Sequence, residues 1–211
     1  MALATYSDLC ASVAGWMHRT DLTDKIPDFV KLAEVRLNRK LALLQQETET
    51  TLTATIGSRL MTKPTDMATP MALWLTTYEP RQEMEFVIPT LLPVTTFSGQ
   101  SLYYTATASN IEVENPADIA YTYTLRYVAM FDLATQTTNS LLTDYPDAYL
   151  YSTLEEAAIW TGNDDLLSKA TQKAQIAIKD SMSDSQRTKG LASLRTDLPG
   201  SQRHGNILRG Y

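Results

Sequence analysis

The sequence predicts an α+β fold. It is a discontinuous four-helix bundle drawn from both chain ends, with an inserted antiparallel β region of short strands and an extended C-terminal arm. Three observations predict it. Residues 141–165 read as a helix with its own start and stop signals, followed by the start of a second helix. Of 29 threonines, 21 fall between Thr48 and Thr143, and this β-branched residue favours half-buried pleated surfaces. From Arg187 onward the chain holds Gly, Pro, Ser and cations with only scattered apolar residues, too few to build a core. The domain boundaries that follow are 1–45 with 144–187 for the bundle, 46–143 for the β insertion, and 188–211 for the arm.

The first zone, about 5–44, is helical. Tyr6, Leu9, Val13, Trp16 and Met17 recur at helical spacing behind Thr5 or Ser7 as a cap. After a turn at 18–23, Pro27 opens a second helix with Ile26, Phe29, Val30, Ala33, Leu37, Leu41 and Leu44 in one stripe. A short turn between two helices reads as an antiparallel hairpin, and its core should bring Trp16 against Leu37. The opposite side of the second helix holds Lys31, Arg36, Arg39 and Lys40. This basic face is a candidate subunit interface with an acidic partner surface.

Strands are expected at 48–56, 71–78, 84–88, 102–106, 111–114 and 120–131. In the last, Tyr121, Tyr123, Leu125, Tyr127 and Ala129 share one face, and Thr122, Thr124 and Arg126 the other. Turn signals separate the strands at Gly57-Ser58, Ser98-Gly99 and Asn115-Pro116. Prolines at 64, 70, 80, 89 and 93 argue for short strands and edges, because proline cannot donate to the ladder. Helix returns at 146–161 and 163–186. Pro146 suits a first helical position, Gly162 a left-handed C-cap, and Asn163 the next N-cap.

At 211 residues and 44% apolar content the chain can fold as one sizeable domain or a core with an appendage. No segment approaches the roughly 18 unbroken apolar residues of a membrane helix, and residues 1–9 lack a basic leader, so no signal peptide and no membrane contact are expected. Cys10 is the single cysteine, which excludes an intramolecular disulfide. The expected setting is the cytoplasm, or a particle assembled there. The net charge of −6 is uneven: residues 187–211 carry five cations against Asp197, leaving −10 for residues 1–186. An acidic body does not suit general nucleic-acid binding, which draws on cation contacts.

Candidate chemistry is thin. His18 and His204 lie far apart, in a turn and in the arm, and assemble neither a triad nor a metal site. Cys10 falls on the apolar stripe of the first helix and reads as a small buried hydrophobe. The eight glycines never form a nucleotide-binding loop. The spaced pairs Glu83/Glu85 and Glu112/Glu114 read as a solvated acidic sheet face, and Asp164/Asp165 as residues favourable at a helix N-terminus. No catalytic residue, metal or cofactor is expected.

Two blocks of sequence carry a family resemblance. The first runs through Thr5-Tyr6-Ser7-Asp8-Leu9, Trp16-Met17-His18-Arg19, Ile26-Pro27 and Ala33-Glu34-Val35-Arg36-Leu37-Asn38-Arg39. The second holds Leu141-Leu142, Tyr145-Pro146-Asp147-Ala148-Tyr149-Leu150-Tyr151 and Leu154-Glu155-Glu156-Ala157-Ala158. Together they resemble the head-to-tail adaptor (connector) proteins of tailed bacteriophages and, more distantly, tail tubular protein A of short-tailed phages. The resemblance implies a structural protein of the virion neck, in a ring of about twelve copies clamped beneath the portal protein. A tail or nozzle protein would lie below, and DNA would pass through the lumen without specific binding. Helices would face the portal and neighbouring copies, and the β part the tail. An acidic lumen would let DNA slide by repelling its backbone.

The arm has no counterpart in that pattern. Its composition points to docking on the portal, with Arg195, Arg203 and Arg209 reaching acidic or carbonyl groups and Leu198, Ile207, Leu208 and Tyr211 filling apolar pockets. Self-repulsion of the acidic body implies a protein that associates weakly alone and completes its ring on a template. The alternative from another class is a β-rich carbohydrate-binding or hydrolytic tail component, using the tyrosine face and a carboxylate pair. The helical bookends argue against it.

Overall fold

A computed structural model describes residues 3–19, 21–41 and 46–193, with side chains up to Arg187. Helix α1 (Tyr6–Met17) begins with a reciprocal cap: Asp8 N–H donates to Thr5 Oγ1 at 3.2 Å, and Thr5 N–H to Asp8 Oδ2 at 3.1 Å. It ends at His18, whose φ of 51° is left-handed. Helix α2 (Ile26–Lys40) has Pro27 in its first turn and buries Ile26, Phe29, Val30, Ala33, Glu34 and Leu37.

Seven strands follow: β1 (Glu47–Thr53), β2 (Leu60–Thr62), β3 (Met67–Leu75), β4 (Gln82–Phe86), β5 (Tyr103–Ala106), β6 (Asn110–Val113) and β7 (Thr122–Ala129). They form one curled sheet in the order β1-β7-β3-β4-β5-β6-β2. The β region is not wholly antiparallel, as the sequence had suggested: β4 and β5 run parallel, pairing Glu85 with Tyr103 and Phe86 with Tyr104. Strand β7 shows the expected alternation, with Tyr123, Leu125 and Tyr127 buried and Thr122, Thr124 and Arg126 half-buried. Strand β2 and the first half of β3 were not anticipated. Three residues are too few to show a period, and Pro70 argued for a break. The sheet tolerates Pro70 because β4 reaches only Leu73–Leu75, and the β3–β7 register shifts just after the proline.

Helices α3 (Ser140–Asp144), α4 (Pro146–Thr161) and α5 (Asp164–Ser193) close the described chain. Pro146 opens α4, and Gly162 ends it with φ 66°. Asn163 then caps α5 by accepting from Leu166 N–H at 3.0 Å. Helix α4 is the hub, and α1, α2, α3 and α5 each pack against it. Ala148, Ala157 and Ala158 on α4, with Ala170, Ala174 and Ala177 on α5, are buried and let the helix axes approach closely.

Two hydrophobic cores result. One joins the helices and takes in Phe131 and Leu133 from the chain leaving β7. The other fills the inside of the sheet around Leu73, Tyr104, Ile111, Tyr123 and Leu125. Trp16 does not meet Leu37: Leu37 is fully buried, while Trp16 is 50% exposed and stands edge-on to Tyr151 at 6.0 Å between ring centroids. Helix α1 buries Leu9, Ser12 and Val13, and the Trp16 indole is covered only in part, with Tyr151 of α4 beside it.

Candidate functional site

A buried polar cluster lies inside the helical core, beside the chain leaving β7. Glu34 sits in the apolar stripe of α2 between Val30 and Leu37 and is almost wholly buried. Its Oε1 accepts from Leu133 N–H at 2.8 Å and from Tyr149 O–H at 3.0 Å. Asn139 Nδ2 donates to the same tyrosine oxygen at 2.8 Å, while its Oδ1 caps α3 by accepting from Leu142 N–H at 2.9 Å. One turn further along α2, Asn38 donates to Phe131 C=O at 2.8 Å and accepts from Phe131 N–H at 2.9 Å. Helix α2 therefore holds the segment leaving the sheet as a neighbouring strand would, and passes the connection on to α3 and α4.

Burial pushes the Glu34 carboxyl above the ordinary carboxylate range, with Asp132 adding a little. The Leu133 N–H, the Tyr149 hydroxyl and Lys31 act in the opposite direction. Burial, then the charge of Glu34, raises the Tyr149 hydroxyl far above its ordinary value. The arrangement is a structural joint, since the bonds to Glu34 Oε1 come from the chain's own Leu133 amide and Tyr149 hydroxyl. The sequence carried a signal for it that periodicity passed over: a carboxylate inside an apolar stripe needs buried partners.

The basic face of α2 divides. Arg36 bonds within the chain, to Glu155 at 2.8 Å, Glu156 at 3.2 Å and Ser152 C=O at 3.1 Å, clamping α2 to α4. Lys31 pairs with Asp132 at 3.3 Å. Arg39 and Lys40 are exposed. Lys31 and Arg39 border a cleft of about 420 Å³ between α2 and the sheet, with Val35, Asp66 and Met130 on its other sides. The arm residues Arg195, Leu198, Arg203, Ile207, Leu208, Arg209 and Tyr211 lie outside the described residues, as does His204.

Groups that could carry chemistry are dispersed. Among the described residues, no cluster of three or more His, Cys, Asp or Glu could hold a metal, and no helix is long and apolar enough to cross a membrane. Tyr121, Tyr123 and Tyr127, the face that would serve as a sugar platform, are buried in the sheet core. Glu83 and Glu85 are exposed on β4, while Glu112 pairs with Arg59 at 2.9 Å. Cys10 is half-buried beside Tyr6, and burial raises its thiol, the opposite of what a nucleophile needs.

The prominent outward features are apolar. The sixteen residues 87–102 joining β4 to β5 carry Ile88, Leu91, Val94, Phe97 and Leu102, all exposed, with Phe97 82% and Leu91 68% accessible. On the helical side, Trp16, Tyr151, Leu154, Leu166 and Ala170 line a groove of about 270 Å³ between α1, α4 and α5. An isolated soluble chain rarely leaves such surfaces to water.

The buried Glu34 carboxyl is taken up by an internal joint, while Leu91, Phe97 and Trp16 face outward, features that suit a structural protein working against other surfaces. The chain matches the SU10 adaptor protein family over residues 4–198 and belongs to that family, a structural role in a tailed-phage particle. A search of curated proteins finds no match to the chain.

Proposed function

We propose that this protein is one subunit of a ring between the portal and the tail or nozzle of a phage virion, assembled in the host cytoplasm. Twelve copies would enclose a lumen through which DNA passes without specific binding. The family membership over 195 consecutive residues supports the adaptor role, and the observation that carries the assembled state is the outward apolar load at Leu91, Phe97 and Trp16. Burying such side chains against a partner contributes about 1.5–3 kcal/mol each, so contact between copies or with neighbours is favourable. The net charge of −10 over residues 1–186 would give a lumen that repels the DNA backbone.

Within this reading the C-terminal residues 188–211 dock on the portal, their arginines anchoring beside Leu198, Ile207, Leu208 and Tyr211. Arg39 and Lys40 supply the exposed part of the basic face toward a neighbouring acidic surface. Cryo-microscopy of virions, and of particles made without this chain, tests the assignment. The expected result is twelve-fold density for the chain at the neck, and DNA-filled heads without tails in its absence. Complete, tailed, infectious particles assembled without the chain would overturn it.

A further inference from the structure

The β4–β5 connection is an unusual loop: it is apolar, exposed and held in place. Residues 87–102 contain no charged side chain. Yet they are pinned to the turn after β6. Thr95 N–H donates to Glu114 C=O at 3.3 Å, Thr95 Oγ1 lies 2.6 Å from Asn115 Oδ1, Gly99 N–H donates to Pro116 C=O at 2.9 Å, and Asn115 Nδ2 donates to Gln100 C=O at 2.8 Å. Pro89 and Pro93 restrict the backbone further. A prong already ordered in the free chain loses little entropy on docking. Its base on β4 is acidic, with Glu83 and Glu85 exposed.

The groove between α1, α4 and α5 has the complementary character. Its floor is Leu154, Leu166 and Ala170, its walls are Trp16 and Tyr151, and its rim carries Lys169 and Lys173. Ile176, also exposed, continues the same face of α5 from Lys173. An apolar cavity of about 150 Å³ holds a benzene ring, so a groove of about 270 Å³ accommodates a phenyl side chain with room beside it.

We propose that the 87–102 prong of one copy docks in the α1–α4–α5 groove of the next, with Phe97 entering beside Trp16 and with Glu83 and Glu85 facing Lys169 and Lys173. The proposal deepens the ring reading and rests on it. Prong and groove are different surfaces of the same chain, and within a ring the contact runs head-to-tail, each copy giving its prong to one neighbour and its groove to the other. Such a contact generates a ring where the rotation between copies closes.

Site-specific photocrosslinking in assembled particles tests it. With p-benzoylphenylalanine at position 97 of the full chain, irradiation of purified phage should give adducts of twice the subunit mass. Mass spectrometry should place the bond at Trp16 or within residues 151–173 of a second copy. Adducts to another region of this chain, to a different protein, or none at all from particles that contain the chain would overturn the docking while leaving the adaptor role intact. Particles that lack the chain altogether would overturn the ring reading and the docking with it. A second arm uses exposed positions that leave the cores untouched. Phe97→Asp should lower incorporation into particles at least tenfold, with an unchanged unfolding midpoint. Unaltered incorporation would also overturn the proposal.

Discussion

Glu34 on α2 and Tyr149 on α4 share a 3.0 Å hydrogen bond inside the helical core, and the same carboxylate oxygen receives the Leu133 amide from the chain leaving β7. One buried carboxyl thus ties three segments that are distant in sequence. Its folded-state pKa lies above the ordinary 4.5 because burial disfavours the charge. Over the interval between those two values the folded state binds more protons than the unfolded state, so this group's contribution to stability falls as pH rises. Below about 4.5 the contribution is fully present, and it is lost as pH climbs through the folded pKa. Glu34→Gln should flatten the stability profile above pH 4.5 relative to the parent, measured by urea unfolding at a series of pH values. Identical profiles would show that the carboxyl titrates as though exposed. Glu34→Ala strands the Leu133 N–H and the Tyr149 hydroxyl and should cost about 2–4 kcal/mol.

Truncations at Trp16 and Leu37 should differ sharply. Leu37→Ala removes a fully buried side chain and should cost about 2–5 kcal/mol. Trp16→Ala removes a half-exposed one whose main partner is the edge of Tyr151, and should cost only about 0.5–1.5 kcal/mol in the isolated protein. Denaturation midpoints of the two variants decide the point, and equal losses would place Trp16 in the core.

Gly162 isolates the backbone contribution at the α4–α5 corner. It has φ 66°, and a methyl group there would meet nothing within 4 Å. The cost of Gly162→Ala is therefore conformational, about 1–2 kcal/mol for a left-handed alanine. Thermal unfolding with unaltered helical circular dichroism would show it, whereas no change in midpoint would mean that the corner relaxes to another conformation.

Removing the residues after Ser193 leaves every described side chain of both cores in place. The shortened protein should keep its unfolding midpoint while losing affinity for the portal. Exposed ion pairs are worth only about 0–1 kcal/mol each, so under the proposed docking Leu198, Ile207, Leu208 and Tyr211 would provide most of the attachment. Pull-down of both forms on purified portal measures it, and equal retention would return the attachment to the helices.

The sequence disclosed what is encoded locally. Thr5 with Asp8, Pro146, Gly162 and Asn163 mark helix ends through bonds spanning only a few residues, and the alternation of β7 is visible in its own eight residues. What escaped depends on partners far along the chain. Whether Trp16 is covered is decided by α4 and α5, more than 130 residues away. The parallel pairing of β4 with β5 is a choice of neighbour that no local pattern states. Strand β2 is held by β6 through Leu60–Thr62 opposite Asn110–Glu112. Of the candidate surfaces, the basic face of α2 was legible as charge, but Arg36 was already engaged by Glu155 and Glu156 from another helix.

The direction of β5 has a consequence for how this protein can vary over generations. Two strands pointing the same way cannot be joined by a two-residue hairpin, because the chain must first travel back to the starting edge, a span of a dozen residues or more. The link between Phe86 and Tyr103 therefore has a minimum length, while its exposed apolar side chains, such as Leu91 and Phe97, belong to neither core. Deletions there would unzip β5 and β6 from the rest of the sheet, while substitutions would leave both cores undisturbed. Exposed positions such as Leu91 and Phe97 can change to suit a new neighbour while the bonds from Thr95, Gly99 and Gln100 to residues 114–116 keep the loop in place.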